Sequence, residues 1–125
     1  MQEETAQSAI DTFLSAFNAL DDHYVTDLLS QALTSDVVFW GPLGRREGIA
    51  AVEQFVRDIR SHPAGPGTMV RCSAVDMPDE WARYRWAFTT PGAGPRLAGT
   101  DIVHLRRGLI DQVIVFAGEI GPPDS

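Results

Sequence analysis

Lysine is absent from this 125-residue chain, and all 10 basic residues are arginine. Without a side-chain amine the protein cannot form a Schiff base, hold pyridoxal phosphate covalently or supply the lysine of a phosphate-binding loop. Cysteine occurs once, as Cys72. That excludes an internal disulfide and any cysteine-held zinc or iron–sulfur centre. Long apolar runs are missing too: no stretch approaches the roughly 20 residues of a membrane span. The start, Met1-Gln2-Glu3-Glu4-Thr5, is acidic and has neither the basic residues nor the apolar run of a signal peptide. Together with the free thiol this points to the cytoplasm. Positive charge is scarce, with 17 acidic against 10 basic residues and a net charge of −7. Nucleic acid needs a basic surface to neutralise its phosphates, so neither a nucleic-acid nor a membrane partner is expected.

What is present is one domain's worth of apolar residues. At 44 % hydrophobic, a chain of this length buries a core without staples. Ala6, Ile10, Phe13, Leu14, Phe17 and Leu20 recur at helical spacing and predict an amphipathic helix over 3–20. Asp21-Asp22 breaks it, and Asp22 is suited to cap a second helix. That helix carries Tyr24, Val25, Leu28, Leu29 and Leu33 on its apolar side. Val37-Val38-Phe39-Trp40 reads as a short strand stopped by Gly41-Pro42. The glycine-rich segment 41–48 matches no phosphate-loop spacing and reads as a turn feeding a third helix near 47–61. His62-Pro63 ends that helix.

The second half changes period. Segments 68–76, 80–89, 98–106 and 109–117 are strand-like. The breaks between them are too short for parallel crossovers, so they predict an antiparallel meander. The Gly/Pro-rich tail, 118–125, reads as frayed. Helices followed by strands imply an α+β domain whose helices cover one face of a curved sheet.

Alternation along the strands sorts side chains by face. Ala82, Tyr84, Trp86 and Phe88 share the inward face, as do Asp101, Val103 and Leu105. Asp101 therefore stands among apolar neighbours. Such a carboxyl has its charged form disfavoured and its pKa raised, which suits acid–base work near neutral pH. The alternative is a structural role, accepting hydrogen bonds from a nearby donor. Tyr84 and Trp86 are either cavity lining or plain core. His104 belongs to the opposite face. His23 and His62 have no second ligand at metal spacing, so no metal site is expected. Cys72 reads as a small core residue. On the outward face, Trp40, Trp81, Ile102, Ile114 and Phe116 alternate with Arg71, Arg83, Arg85, His104 and Arg106. An apolar face rimmed by arginine predicts a homodimer packed sheet against sheet.

The element order resembles the nuclear transport factor 2-like superfamily. Asp36-Val37-Val38-Phe39-Trp40-Gly41-Pro42-Leu43-Gly44, then Gly48-Ile49-Ala50-Ala51-Val52, is similar to that superfamily's strand, loop and third helix. Arg83-Tyr84-Arg85-Trp86-Ala87-Phe88, Gly99-Thr100-Asp101-Ile102-Val103 and Gly108-Leu109-Ile110 are similar to its SnoaL-like branch. The resemblance covers about residues 5–118. It implies a cone-shaped, cystatin-like α+β fold with a pocket between sheet and helices, one domain over residues 1–125, often dimeric. The superfamily holds cyclases, isomerases, epoxide hydrolases, dehydratases and non-catalytic binders. Asp101 falls where cyclases and ketosteroid isomerases commonly place a pocket carboxyl. The isomerase's proton-abstracting aspartate corresponds to Gly41, and its helix-1 tyrosine falls among Phe13, Leu14 and Phe17. The polar segment that many SnoaL-like proteins carry on the last strand corresponds to Val113-Ile114-Val115.

These readings converge on a cofactor-independent acid–base enzyme for a hydrophobic, carbonyl- or epoxide-bearing small molecule. Asp101 and Tyr84 are the expected catalytic pair. Phe17, Phe39, Trp86, Phe88, Val103 and Val113 are the expected substrate contacts, with no metal and no cofactor. The rival readings are a non-catalytic binding or dimerisation module and a structural subunit of a larger assembly.

Overall fold

The computed structural model describes residues 2–61, 67–89, 97–118 and 121–123. His62-Pro63, the loop glycines 92 and 94 and the tail residues 119–120 and 124–125 lie outside them. Helix α1 spans Gln2–Ser15 and continues as a 3-10 turn over Ala16–Asn18. Helix α2 (Asp22–Ala32) and strands β1 (Leu33–Gly41) and β2 (Gly44–Glu47) follow, then α3 (Ile49–Arg60). Strands β3 (Thr68–Arg71), β4 (Trp81–Thr89), β5 (Leu97–Arg106) and β6 (Leu109–Ala117) complete the chain.

The strands form one six-stranded sheet in the order β2-β1-β6-β5-β4-β3. Strands β3 to β6 pair antiparallel, as the short connections require. Strand β1 joins them by parallel pairing to β6, and β2 folds back on β1 as an antiparallel hairpin. The β5–β6 connection is a two-residue turn. Arg107 and Gly108 both adopt left-handed backbone, with φ of 54° and 82°, as a two-residue hairpin turn demands.

The core lies between the helices and one face of the sheet. Ile10 and Phe13 of α1, Val25 and Leu29 of α2, and Val52 and Val56 of α3 meet Val37, Phe39, Val103, Ile110 and Val113 of the strands, all buried. The architecture is thus the α+β fold expected.

Several local expectations need correction. The first helix stops before residue 20, and Leu20 lies exposed beyond it. Asp21, not Asp22, is the cap of α2. Its extended backbone lets the carboxylate accept from the His23 N–H at 2.9 Å, while Asp22 lies in the first turn. Leu33 does not belong to α2: it opens β1. The segment 41–48 is no mere turn, since Gly44–Glu47 pairs with β1. Strand β3 ends at Arg71 rather than residue 76, and Asp76 makes an isolated bridge to Arg83. Arg71 stands opposite Trp86 and so shares its inward face. Its guanidinium grips the Asp11 carboxylate of α1 at 2.8 and 3.2 Å. Cys72 is exposed rather than in the core.

Candidate active site

A cavity of about 90 Å³ opens between the sheet and the helices. Its wall is almost wholly apolar, and among the described residues Asp101 is the sole ionisable one in its lining. Phe13, Phe17 and Phe55 approach from the helical side, and Phe39, Trp86 and Phe88 from the sheet. The aromatic rings interlock. Phe17 meets Phe55 edge-on at 6.4 Å, and Phe39 meets Phe55 at 5.0 Å.

Glycines make room for two of these rings. A Cβ on Gly41 would lie 2.5 Å from the Phe39 ring, so that ring occupies the space a side chain at 41 would need. A Cβ on Gly99 would lie 2.5 Å from the Trp86 ring and 2.3 Å from the Phe116 carbonyl oxygen. The indole therefore packs against bare β5 backbone, opposite its register partner Gly99.

Asp101 is 3 % exposed. Strand pairing places it between Tyr84 on β4 and Val115 on β6. The Tyr84 hydroxyl donates to Asp101 Oδ2 at 2.6 Å. Oδ1 makes no hydrogen bond to another group among the described residues. Burial without a cationic neighbour pushes the Asp101 pKa up to about 7, against the opposing pull of the Tyr84 hydroxyl and the Trp86 indole. Burial also pushes the Tyr84 pKa well up, with the Asp101 charge adding to it. Tyr84 stays protonated and remains a donor. Arg71 and Asp11 lie beyond Tyr84, near enough to act on it electrostatically with opposite signs.

Of the residues expected at the site, the cavity brings together Asp101, Phe17, Phe39, Trp86 and Phe88. Tyr84 lies behind Asp101, outside the lining, with its hydroxyl committed to the carboxylate. Val103 and Val113 are fully buried core residues, also outside the lining. Their parity is inward, but they stand further along the sheet than the cavity reaches. Phe55, Met69 and Pro42 line the cavity without having been singled out. Phe55 is visible in the sequence only as one more apolar position on the third helix.

His104 lies on the far face of the sheet. Its Nδ1 is 2.6 Å from Asp111 and its Nε2 is 3.3 Å from Glu80, with the Trp81 ring at 4.8 Å. Burial opposes protonation of His104, but hydrogen bonds to the two carboxylates prevail and its pKa is raised. Trp40, Trp81 and Phe116 on this face are 44 %, 41 % and 53 % exposed. Among the described residues no group of His, Cys, Asp and Glu is placed to hold a metal, and no helix is long and apolar enough to cross a membrane.

The same architecture recurs in solved structures. A protein from Agrobacterium tumefaciens str. C58, provisionally assigned as an isomerase of the SnoaL-like family, superposes with a TM-score of 0.80. It is 24 % identical, over 93 % of this chain and 99 % of that one. A protein of unknown function with cystatin-like fold from Methylobium petroleophilum PM1 gives 0.76 at 16 % identity, over 97 % and 80 %. A Sinorhizobium meliloti protein provisionally assigned as a polyketide cyclase gives 0.70 at 16 %, over 87 % and 94 %. At such identities the likeness shows the fold alone. No curated protein matches the chain. The SnoaL-like domain profile matches residues 10–113, from within α1 to within β6, and the chain belongs to the SnoaL-like family.

Proposed function

We propose that this protein is a cofactor-independent acid–base enzyme acting on a small hydrophobic molecule that carries a carbonyl or an epoxide. The observation that carries the reading is Asp101, a lone carboxyl in an apolar cavity with a pKa near 7. A group that titrates there takes and returns a proton with comparable ease at physiological pH. Ionised, Asp101 removes a proton from the carbon beside the substrate carbonyl. The resulting Asp101 O–H then delivers that proton to another atom of the same molecule, so nothing is consumed. Tyr84 acts through Asp101: it holds Oδ2 and leaves Oδ1 for the substrate. The apolar wall excludes water and keeps the carboxyl's pKa high. The isomerase and polyketide cyclase designations of two neighbours are in keeping with proton-moving chemistry.

The test is a panel of small ketones and epoxides incubated in D₂O and followed by mass spectrometry. The wild type should transform or deuterate at least one. Asp101→Asn should lose that turnover while keeping its fold and its affinity for the compound. Turnover retained by Asp101→Asn sinks the reading. The absence of any second ionisable group in the lining, among the described residues, favours a binding module instead. A compound that raises the melting temperature by mass action yet is recovered unchanged would establish that alternative.

We also infer a homodimer packed through the outward sheet face, where exposed Trp40, Trp81 and Phe116 would be covered by a second copy. Sedimentation at micromolar concentration should give twice the 13.7 kDa chain mass; only the single-chain species would exclude it. Exposed Cys72 as a free thiol accords with a reducing compartment, the cytoplasm.

A further inference from the structure

Two buried polar atoms beside the cavity lack a protein partner. One is Asp101 Oδ1 and the other is the indole nitrogen of Trp86. Both residues line the cavity, and both are almost fully buried. The register explains why they are neighbours. Trp86 stands opposite Gly99 and Tyr84 opposite Asp101, so Trp86 and Asp101 are diagonal partners on one face, within reach of long side chains. The indole is near enough to favour the ionised carboxyl, yet the two groups make no well-formed hydrogen bond. Buried polar atoms that protein groups do not satisfy are rare, and they are costly unless something else supplies the bond.

We propose that the Trp86 indole N–H and Asp101 Oδ1 form a two-point seat for a single oxygen atom of a neutral ligand. Trp86 is then a specificity-determining residue and not merely a wall. A carbonyl oxygen accepts from the indole N–H and from protonated Asp101 together. A hydroxyl accepts from the indole and donates to ionised Asp101. An oxygen-free hydrocarbon of the same shape fills the cavity but leaves both groups unmade. A ligand carboxylate brings its charge against the Asp101 oxygen, with no cation in the lining to offset it. The cavity is small, about 90 Å³, against the ~150 Å³ that suffices for benzene in an engineered apolar cavity. The preferred ligand is therefore compact, near the size of a five-membered ring, with one oxygen seated deep and the hydrocarbon facing the aromatic rings. This rests on the acid–base reading for its substrate class, but it concerns binding and not turnover.

The experiment uses the full chain and two probes of nearly equal shape, cyclopentanone and methylenecyclopentane. Indole N–H signals of the three tryptophans are assigned by Trp40→Phe and Trp81→Phe, both exposed sites, which leaves Trp86 native. Cyclopentanone should move the Trp86 N–H signal downfield as it saturates. It should bind at least about five-fold more tightly than methylenecyclopentane, the low end of the cost of an unmade buried hydrogen bond. Trp86→Phe should bring the ratio of the two affinities towards one. Equal affinity for the two probes in the wild type overturns the proposal. So does a Trp86 signal already downfield in the free protein and unmoved by the ketone, which would assign the indole to Asp101 itself. Binding of neither probe at millimolar concentration overturns it as well. Failure of the acid–base reading shows separately, as turnover that survives Asp101→Asn.

Discussion

The two faces of the sheet carry the same side chain to opposite ends of its range. On the inner face Asp101 sits on β5 with no cation near it, and its pKa is about 7. On the outer side Asp36 of β1 takes both ends of the Arg106 guanidinium, at 2.7 and 3.2 Å. Hydrogen bonding to that arginine brings its pKa down to about 2. Burial without a partner sets the first value and a charged partner in water sets the second. The arginines follow the same division. Arg83 pairs with Asp76 and Arg106 with Asp36, both on the solvent side. Arg71, inward by register, spends its charge on Asp11. Arg46, opposite Phe39, lies over the Phe55 ring and donates to the Ala51 carbonyl, and no arginine bears on the Asp101 carboxyl.

The strongest way to break this contrast is to remove the buried acid. Asp101 binds a proton in the folded state up to about pH 7, whereas its ordinary pKa is 3.8. Between these values the folded protein holds the extra proton, so stability should fall as pH rises from about 4 through 7, and level off above. The span is roughly 4 kcal/mol at most. Asp101→Asn should abolish this slope and exceed the wild type at pH 8. Urea unfolding at pH 5 and pH 8 decides the matter; parallel pH profiles for the two proteins would refute the burial argument.

A second intervention fills the inner face from beneath. Gly99→Ala places a methyl group against the Trp86 ring and the Phe116 carbonyl. Overpacking of this kind costs about 1–3 kcal/mol. The indole should be driven towards the cavity, so apolar probes should bind more weakly. Unchanged stability and probe affinity would mean that the ring does not rest on β5.

Tyr84→Phe tunes the acid without moving it. The Tyr84 hydroxyl favours the ionised carboxyl, so its loss should raise the Asp101 pKa further and shift the pH profile of turnover upward. The unmade bond should lower stability by about 1–3 kcal/mol. A profile that stays in place would separate Tyr84 from the site.

The smallest effect is expected on the outer face. Asp36→Asn removes a pair whose contribution is present above about pH 4 and lost as pH falls through 2. It should flatten only the acid limb of the stability profile, and added salt should mask the difference. A large loss of stability at neutral pH would mean that the two faces are less distinct than their geometry implies.

Much of this contrast is legible in the residue order. Alternation along Trp81–Thr89 and Leu97–Arg106 sends Asp101 inward, because Val103 and Leu105 on its face are apolar. The short breaks make the meander antiparallel. Pairing of Gly44–Glu47 with β1 is not legible. That segment is polar and lies at an edge, so no buried stripe betrays it. Leu33 misleads because it follows Leu29 at helical spacing, while the backbone is already extended there. Arg71 misleads because charge argues for the outward face, and only Asp11, sixty positions earlier, accounts for it inside. Parity separates inward from outward, but not cavity from core. Val103, Phe39 and Phe88 all point inward, and only packing determines which of them faces the cavity. Gly99 is the subtlest case: its meaning depends on an indole one strand away.

The strand lengths bear on how copies of this chain meet. Inner strands β1, β4, β5 and β6 run nine or ten residues, whereas the two at the margins, β2 and β3, have four each. Three of the four in β2, Arg45, Arg46 and Glu47, are charged. Short margins, one of them mostly charged, offer little unpaired backbone for a foreign strand to extend, and natural sheets use such devices to escape fibrous aggregation. A chain so built grows poorly in the plane of its sheet. The proposed sheet-against-sheet dimer would run perpendicular to that plane and would close after one encounter instead of propagating.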